Sequence, residues 1–228
     1  RAPEALDRLL EMQIDRANGV ILRVRPLTET SLIVHWLTRE WGRLALVAKG
    51  ARRPQSPYRG RLDLFHEAEF TFSRSRRSDL HTLRELMLAQ THPRLREDWG
   101  KLKQASYCAM LIEDLCESDT PIPEIFDLFV QVLRSIGARS LSPWTVLSFE
   151  WSLLGTMGLA FPVGEARLSA EARRFFERSS SQVDGDAGAE VPGLQQEGVG
   201  EVAGLLGRQV LEACGRLPRG RGEALSTE

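Results

Sequence analysis

The sequence predicts an α+β protein: a small β-barrel over residues 19–92, an α-helical domain over residues 93–228, and an N-terminal extension over residues 1–18. Three observations predict it. Five short segments between residues 19 and 92 carry strand-like apolar patterns, several with the strict alternation of a half-buried strand. From about Arg94 onward, apolar residues recur at spacings of three and four, as on a helix with one buried stripe. The charge divides at the same boundary. Residues 16–90 hold 14 Lys/Arg against 7 Asp/Glu and residues 91–228 hold 14 against 20, so the net charge of -1 conceals a basic and an acidic half.

In the barrel segment, Val20 to Leu27 places Val20, Leu22 and Val24 on one face and Arg23 and Arg25 on the other. Ser31 to Thr38 is rich in Leu, Ile, Val and Trp, and Glu40-Trp41-Gly42-Arg43 turns the chain into Leu44 to Ala48, a hairpin. Gly50 to Arg61, with its prolines, glycines and arginines, cannot continue a strand and reads as a long exposed loop. Phe65 to Ser73 alternates again, and His81 to Gln90 suits a fifth strand, although Leu-Arg-Glu-Leu-Met-Leu would also suit a helix. Five short strands close most readily into a barrel, which removes exposed edges.

The rest reads as helices. Leu102, Ala105, Ala109, Ile112 and Cys116 form the stripe of a helix from about Arg94 to Glu117. Pro123 opens a second, which ends near Gly137. Ser142-Pro143 is an N-cap with proline at the first helical position, starting a third that runs to Gly158. Ser169 caps a shorter helix with Glu171 in its first turn. Ser179 to Gly198 reads as a flexible loop, and Val199 to Leu217 as the last helix.

Composition narrows the class. With 42% hydrophobic and 27% charged residues the chain is neither collagen-like, nor wholly disordered, nor a disulfide scaffold. Three cysteines, Cys108, Cys116 and Cys214, contain no CxxC pair, which suits a reducing compartment and gives no disulfide framework or zinc site. Cys108 and Cys116, placed on one helix, look like small core residues. The longest uncharged run, Trp151 to Gly164, is 14 residues and is broken by Gly155, Gly158 and Pro162, whereas a membrane span needs ~20 apolar residues. Arg1 to Asp15 lacks the order of a secretory signal, so a cytoplasmic protein with no membrane partner is expected.

The densest chemical signal is Arg43 to Arg61, which holds Arg43, Lys49, Arg52, Arg53, Arg59 and Arg61 and no acidic residue. Converging Lys/Arg displace the counterions condensed on a nucleic-acid backbone, so an arginine-rich loop on a barrel reads as a phosphate clamp. Arg23, Arg25, Arg74, Arg76, Arg77 and Arg84 extend the basic surface. Trp36 and Phe65 suit the core, whereas Tyr58, among prolines and arginines, is expected to be exposed and able to stack a base. Catalytic patterns are poor: His35, His66, His81 and His92 show no metal-ligand spacing, and there is no GxxxxGK[ST], GxGxxG or GxSxG. No catalytic residue and no cofactor are expected. One rival stays open, a metal-dependent nuclease using Asp63, Glu67 and Glu69. A second is an RNA-binding barrel.

Gly19-Val-Ile-Leu-Arg-Val-Arg-Pro-Leu27, Glu29-Thr-Ser-Leu-Ile-Val34, Thr38-Arg-Glu-Trp-Gly-Arg-Leu44, Val47-Ala-Lys-Gly-Ala-Arg-Arg-Pro-Gln-Ser56 and Asp79-Leu-His-Thr-Leu-Arg-Glu85 together resemble the RecO family of recombination mediators. The resemblance is fullest over residues 19–92, holds in pattern only over about 94–160, and is thin beyond. It implies that the barrel is an OB-fold and that the role is non-enzymatic: binding and annealing single-stranded DNA, contacting duplex DNA, and helping RecA replace single-stranded-DNA-binding protein. It also implies as partners RecR and the acidic, hydrophobic tail of single-stranded-DNA-binding protein. A receptor for that tail is sought among Phe126, Phe129, Trp144 and Trp151, with Arg134 and Arg139 nearby. Many relatives carry a four-cysteine zinc site, but Val163 to Arg174 has no cysteine or histidine, so zinc is not expected. Residues 1–11 precede the usual start of the family, which makes Met12 the expected natural start, unless they form an amphipathic extension.

Overall fold

The computed structural model describes residues 14–165, 168–181 and 197–226. Expectations for residues 1–13, and for most of the loop read over 179–198, lie outside these. The chain divides into two compact units. One runs to Thr91 and takes in Cys116–Phe126; the other comprises His92–Leu115 and the chain from Asp127 onward.

The first unit is a closed barrel of five strands: β1 (Ile14–Pro26), β2 (Leu32–Thr38), β3 (Gly42–Ala48), β4 (Glu67–Ser73) and β5 (Leu80–Gln90). They close in the order β1-β2-β3-β5-β4, antiparallel throughout except for β3 beside β5. This is the five-stranded OB-type barrel that the sequence and the resemblance point to. His81 to Gln90 is a strand, not a helix. Trp36 and Phe70 sit at the centre with ring centroids 4.4 Å apart, packed with Ile21, Val34, Leu46 and Phe72. Phe65 is buried too.

Two irregularities decide where side chains point. β1 starts at Ile14, six residues before the alternation suggests, and pairs with β4 from there. Its register against β2 slips between Ile21 and Arg23, leaving Leu22 as an extra residue. Ala17 and Ile21 face the core before the slip and Val24 packs against it after. A strict alternation from Ile21 would turn Arg23 inward; the bulge reverses the parity and leaves Arg23 and Arg25 outside. Val20 and Leu22, read above as sharing the core face with Val24, are buried but do not belong to the barrel core. In β5 the register against β4 slips between Leu83 and Glu85, so Arg84 is the extra residue there.

The second unit is helical: α1 (Trp99–Leu115), α2 (Pro123–Ala138, whose first turn belongs to the barrel unit), α3 (Pro143–Thr156), α4 (Ala170–Ser181), α5 (Glu197–Cys214) and α6 (Arg221–Leu225), with short 3-10 turns at Pro93–Leu95 and Val163–Glu165. α1 starts later than expected and ends before Cys116, which belongs to the barrel unit instead of sharing a helix with Cys108. Both thiols are buried, and burial pushes their pKa up, to about 11 for Cys116. Every residue of α3 from Pro143 to Trp151 is buried, as in a central helix covered on all sides. Ser142 precedes it in an extended conformation, with no side-chain cap bond. Ser169 does cap α4, its Oγ accepting from the Ala172 N–H at 3.2 Å.

Glu150, on α3, is wholly buried and meets Arg221 in a bidentate pair at 2.7 and 2.8 Å. The Tyr107 hydroxyl donates to the same carboxylate. Burial first, and Glu150 next, hold the Tyr107 pKa well above its ordinary value. A Cβ on Gly207 would come within 2.9 Å of Arg221 Nη1, so the small residue in α5 leaves room for the guanidinium. α6, absent from the sequence expectations, is latched to the bundle by this cluster.

Candidate nucleic-acid interface

The basic segment after β3 is a chain of tight turns. The N–H groups of Arg53, Ser56, Arg59 and Arg61 each donate to the carbonyl three residues earlier, at 3.0 to 3.2 Å. Gly50 and Gly60 take φ of 70°, a left-handed conformation that glycine adopts without strain. Three ties pin the segment to the barrel. The Arg52 side chain donates to Thr28 O at 3.0 Å, and its N–H to Thr30 O at 3.0 Å, joining it to the β1–β2 turn. Arg61 Nη1 donates to Leu86 O at 3.4 Å. The Tyr58 hydroxyl donates to Arg84 O at 2.8 Å, with Leu83 O a weaker second acceptor at 3.3 Å.

This last tie corrects the expectation for Tyr58. Its ring is buried against the barrel core, and burial raises its pKa, so it is not an exposed stacking platform. The β5 bulge presents the Arg84 carbonyl as an acceptor outside the regular ladder, and a phenol can bury its ring while satisfying that group. Lys49, Arg52, Arg53, Arg59 and Arg61 are all exposed, and among the described residues none of the five has a carboxylate partner. Arg52, Arg53 and Arg59 line a cleft of about 380 Å³, whose other walls include Leu32, Ala51, Tyr58 and Leu62.

A second group of cations lies on the outside of β1, β2 and β3. Strand register sets Arg23 opposite His35, and Arg25 two residues along opposite Ile33, which pairs with Val47 near the start of the basic segment. Arg25 Nη2 lies 3.0 Å from His35 Nε2. Burial, then Arg25, Arg23 and Arg43, lower the His35 pKa to about 4, so the ring is neutral at pH 7 and accepts from Arg25. The imidazole therefore registers a positive field from three arginines. Sequence reading left His35 as an isolated histidine; pairing β1 with β2 would have found it, but the bulge hides the register.

The other expected contacts divide. Arg76 and Arg77 stand exposed in the β4–β5 turn, and Arg84 is exposed with its Nε donating to Ser73 Oγ at 2.7 Å. Arg74 is committed within the unit: it pairs with Asp15 at 3.1 Å and with Asp119 at 4.0 Å, and its guanidinium lies 4.2 Å above the Trp41 ring. Two carboxylates offset its charge. Arg43 is half-buried, with Nη2 at 3.5 Å from Ser118 Oγ.

The expected receptor for a protein tail does not assemble as read. Phe129, Trp144 and Trp151 are buried: Phe129 packs on Phe149, Trp144 on Phe175 and Trp151 on Phe176. Phe126 is half-buried, Arg139 is partly exposed and Arg134 is exposed. Rings that fill a helical core cannot also receive a ligand ring without unpacking it. Of the carboxylates in the nuclease reading, Glu69 pairs with Arg16 and Asp63 Oδ1 accepts from the Leu64 N–H at 2.8 Å, and among the described residues no group of three or more His, Cys, Asp or Glu is placed to hold a metal ion. Among the same residues no helix is long and apolar enough to cross a membrane.

Comparison with known proteins bears on the family. The family model described as recombination protein O N terminal matches residues 12–92, and that described as recombination protein O C terminal matches residues 96–173. The chain is 38% identical over 135 residues to the DNA repair protein RecO of Idiomarina loihiensis, covering 58% of this chain and 56% of that protein. It is 33% identical over 149 residues to the DNA repair protein RecO of Exiguobacterium sibiricum, covering 64% of this chain and 58% of that protein. To the DNA repair protein RecO of Burkholderia orbicola it is 32% identical over 198 residues, covering 84% of this chain and 70% of that protein. The chain thus spans little more than half the length of the first two relatives. Two adjacent family matches in the order barrel then helices, with a relative covered at this level, place the chain in the RecO family.

Proposed function

We propose that this chain acts in DNA repair by binding single-stranded DNA on its barrel and annealing complementary strands. The observation that carries the reading is the set of five exposed cations from Lys49 to Arg61, which have no carboxylate partner among the described residues, held on a pinned loop beside the Arg23–Arg25–His35 face. Cations held in place, as Arg52, Arg59 and Arg61 are by their carbonyl bonds, lose little freedom on meeting phosphates and release the counterions condensed there. Annealing needs no bond chemistry: a basic surface that screens two strands from each other lowers the barrier to their meeting. Contact with duplex DNA follows from the same phosphate recognition.

As a mediator in the cytoplasm, the protein would hold strands coated by single-stranded-DNA-binding protein while RecA is loaded, with RecR as a further partner and the coat protein's acidic tail docking on the helical unit. These partners are what the family resemblance implies, and the burial of Phe129, Trp144 and Trp151 directs the search for the tail's seat to other residues of that unit. Mixing complementary fluorescent strands with and without the protein tests the central step. Faster annealing, with both strands recovered uncut in the presence of magnesium, is the expected result. Cleavage, or an unchanged rate, would overturn the reading. Competition between RNA and single-stranded DNA of equal length distinguishes the RNA-binding alternative.

A further inference from the structure

We propose that the cleft inside the basic loop is a pocket for one unstacked nucleotide, so that the barrel grips a strand by a base as well as by phosphates. The inference rests on the DNA-binding reading above and deepens it. A phosphate clamp alone needs only exposed cations. Here the cations surround a cleft of about 380 Å³, within the range of about 300 to 1,000 Å³ for small-molecule sites. Its walls differ in chemistry: Arg52, Arg53 and Arg59 supply charge, whereas Leu32, Ala51 and Leu62 are apolar and pack against the barrel core on their other side. A nucleotide has the same division, an apolar aromatic base and an anionic phosphate.

The cleft is also built before any ligand arrives. The Tyr58 ring is fixed by its hydroxyl bond to Arg84 O, Arg52 is fixed by Thr28 O, and Arg59 Nη1 reaches Pro54 O across the loop at 3.3 Å. At Gly60 a Cβ would meet nothing within 4 Å, so that wall opens to solvent and leaves a path for the strand to enter and leave. Every base has an apolar face, so such a pocket holds strands without reading their sequence. A base paired in a duplex cannot enter it, which gives the loop a preference for single strands that charge alone does not provide.

The test compares two oligomers of equal length and phosphate number, oligothymidylate and a strand of abasic tetrahydrofuran units, binding to the intact chain. Thymidylate is expected to bind about tenfold more tightly, with the two salt slopes equal because the phosphate contacts are the same. Ala51→Phe, which fills the cleft, is expected to close that gap, so that the variant binds the two oligomers equally. Pro54→Phe, at an exposed wall position, fills it from outside the core should the first variant not fold. Equal binding of the two oligomers to the unaltered chain overturns the pocket and leaves the phosphate clamp standing. A gap that persists in a folded cleft-filling variant also overturns it, since the base is then held elsewhere. Failure of both oligomers to bind would overturn the DNA-binding reading itself.

Discussion

His35 reports on the charge around it. The ring stays neutral in the folded chain down to about pH 4, against an ordinary 6.5, through burial and the fields of Arg25, Arg23 and Arg43. Between those values the unfolded chain binds the proton and the folded chain does not, so this residue's contribution to stability is present above pH 6.5 and is lost as the pH falls toward 4. His35→Gln is expected to flatten that part of the pH–stability curve, measured by denaturant midpoints across the window. Phosphates docking on the same arginines would offset their field and raise the His35 pKa. An NMR titration of its ring protons with and without oligothymidylate should show the upward shift, and an unmoved value would take Arg23, Arg25 and Arg43 out of the site. Tyr58 makes a separate prediction. Tyr58→Phe keeps the buried ring but leaves the Arg84 carbonyl without its donor, and is expected to cost about 1 kcal/mol in chemical denaturation.

At the scale of elements, much was legible because strands and helices declare themselves by period. All five strands and five of the helices fall on the segments that pattern marks out, though β1 starts six residues early and α1 is shorter than its apolar stripe, and Ser169 caps its helix as its position suggests. What escaped depends on partners distant in sequence. The bulge at Leu22 adds one residue without changing composition, yet it decides that Arg23 and Arg25 face outward. Tyr58 looked exposed because its neighbours are prolines and arginines; its burial depends on a carbonyl in β5, 26 residues away. The basic run was visible in sequence, but the ties that pin its turns to the barrel were not, since they depend on distant partners, as where Arg52 reaches the β1–β2 turn. The short helix α6 was missed for the same reason. Its anchor Arg221 bonds Glu150 71 residues earlier, and no local pattern announces a buried carboxylate. Removing one partner of a buried pair leaves the other charge uncompensated, so Arg221→Ala is expected to destabilise the helical unit by about 3 to 5 kcal/mol. Hydrogen exchange on that variant should show protection lost in α3 and α5. Unchanged protection there would mean that α6 holds nothing in place.

Over the whole molecule, the near-neutral net charge is a sum of unlike parts. The basic excess of residues 16–90 is carried by a barrel whose five loop cations have no carboxylate partner among the described residues, while Arg74 is offset by its own unit. The central claim is that the loop from Lys49 to Arg61 holds single strands by their phosphates. The most direct test is the dependence of single-stranded DNA affinity on salt, for the unaltered chain and for Arg52→Ala with Arg53→Ala. Each phosphate contact contributes about 0.7 to the log–log slope for a single strand, so the double variant should bind more weakly with a slope flatter by ~1.4. A folded double variant with the affinity and slope of the original chain would contradict the account and place the DNA elsewhere.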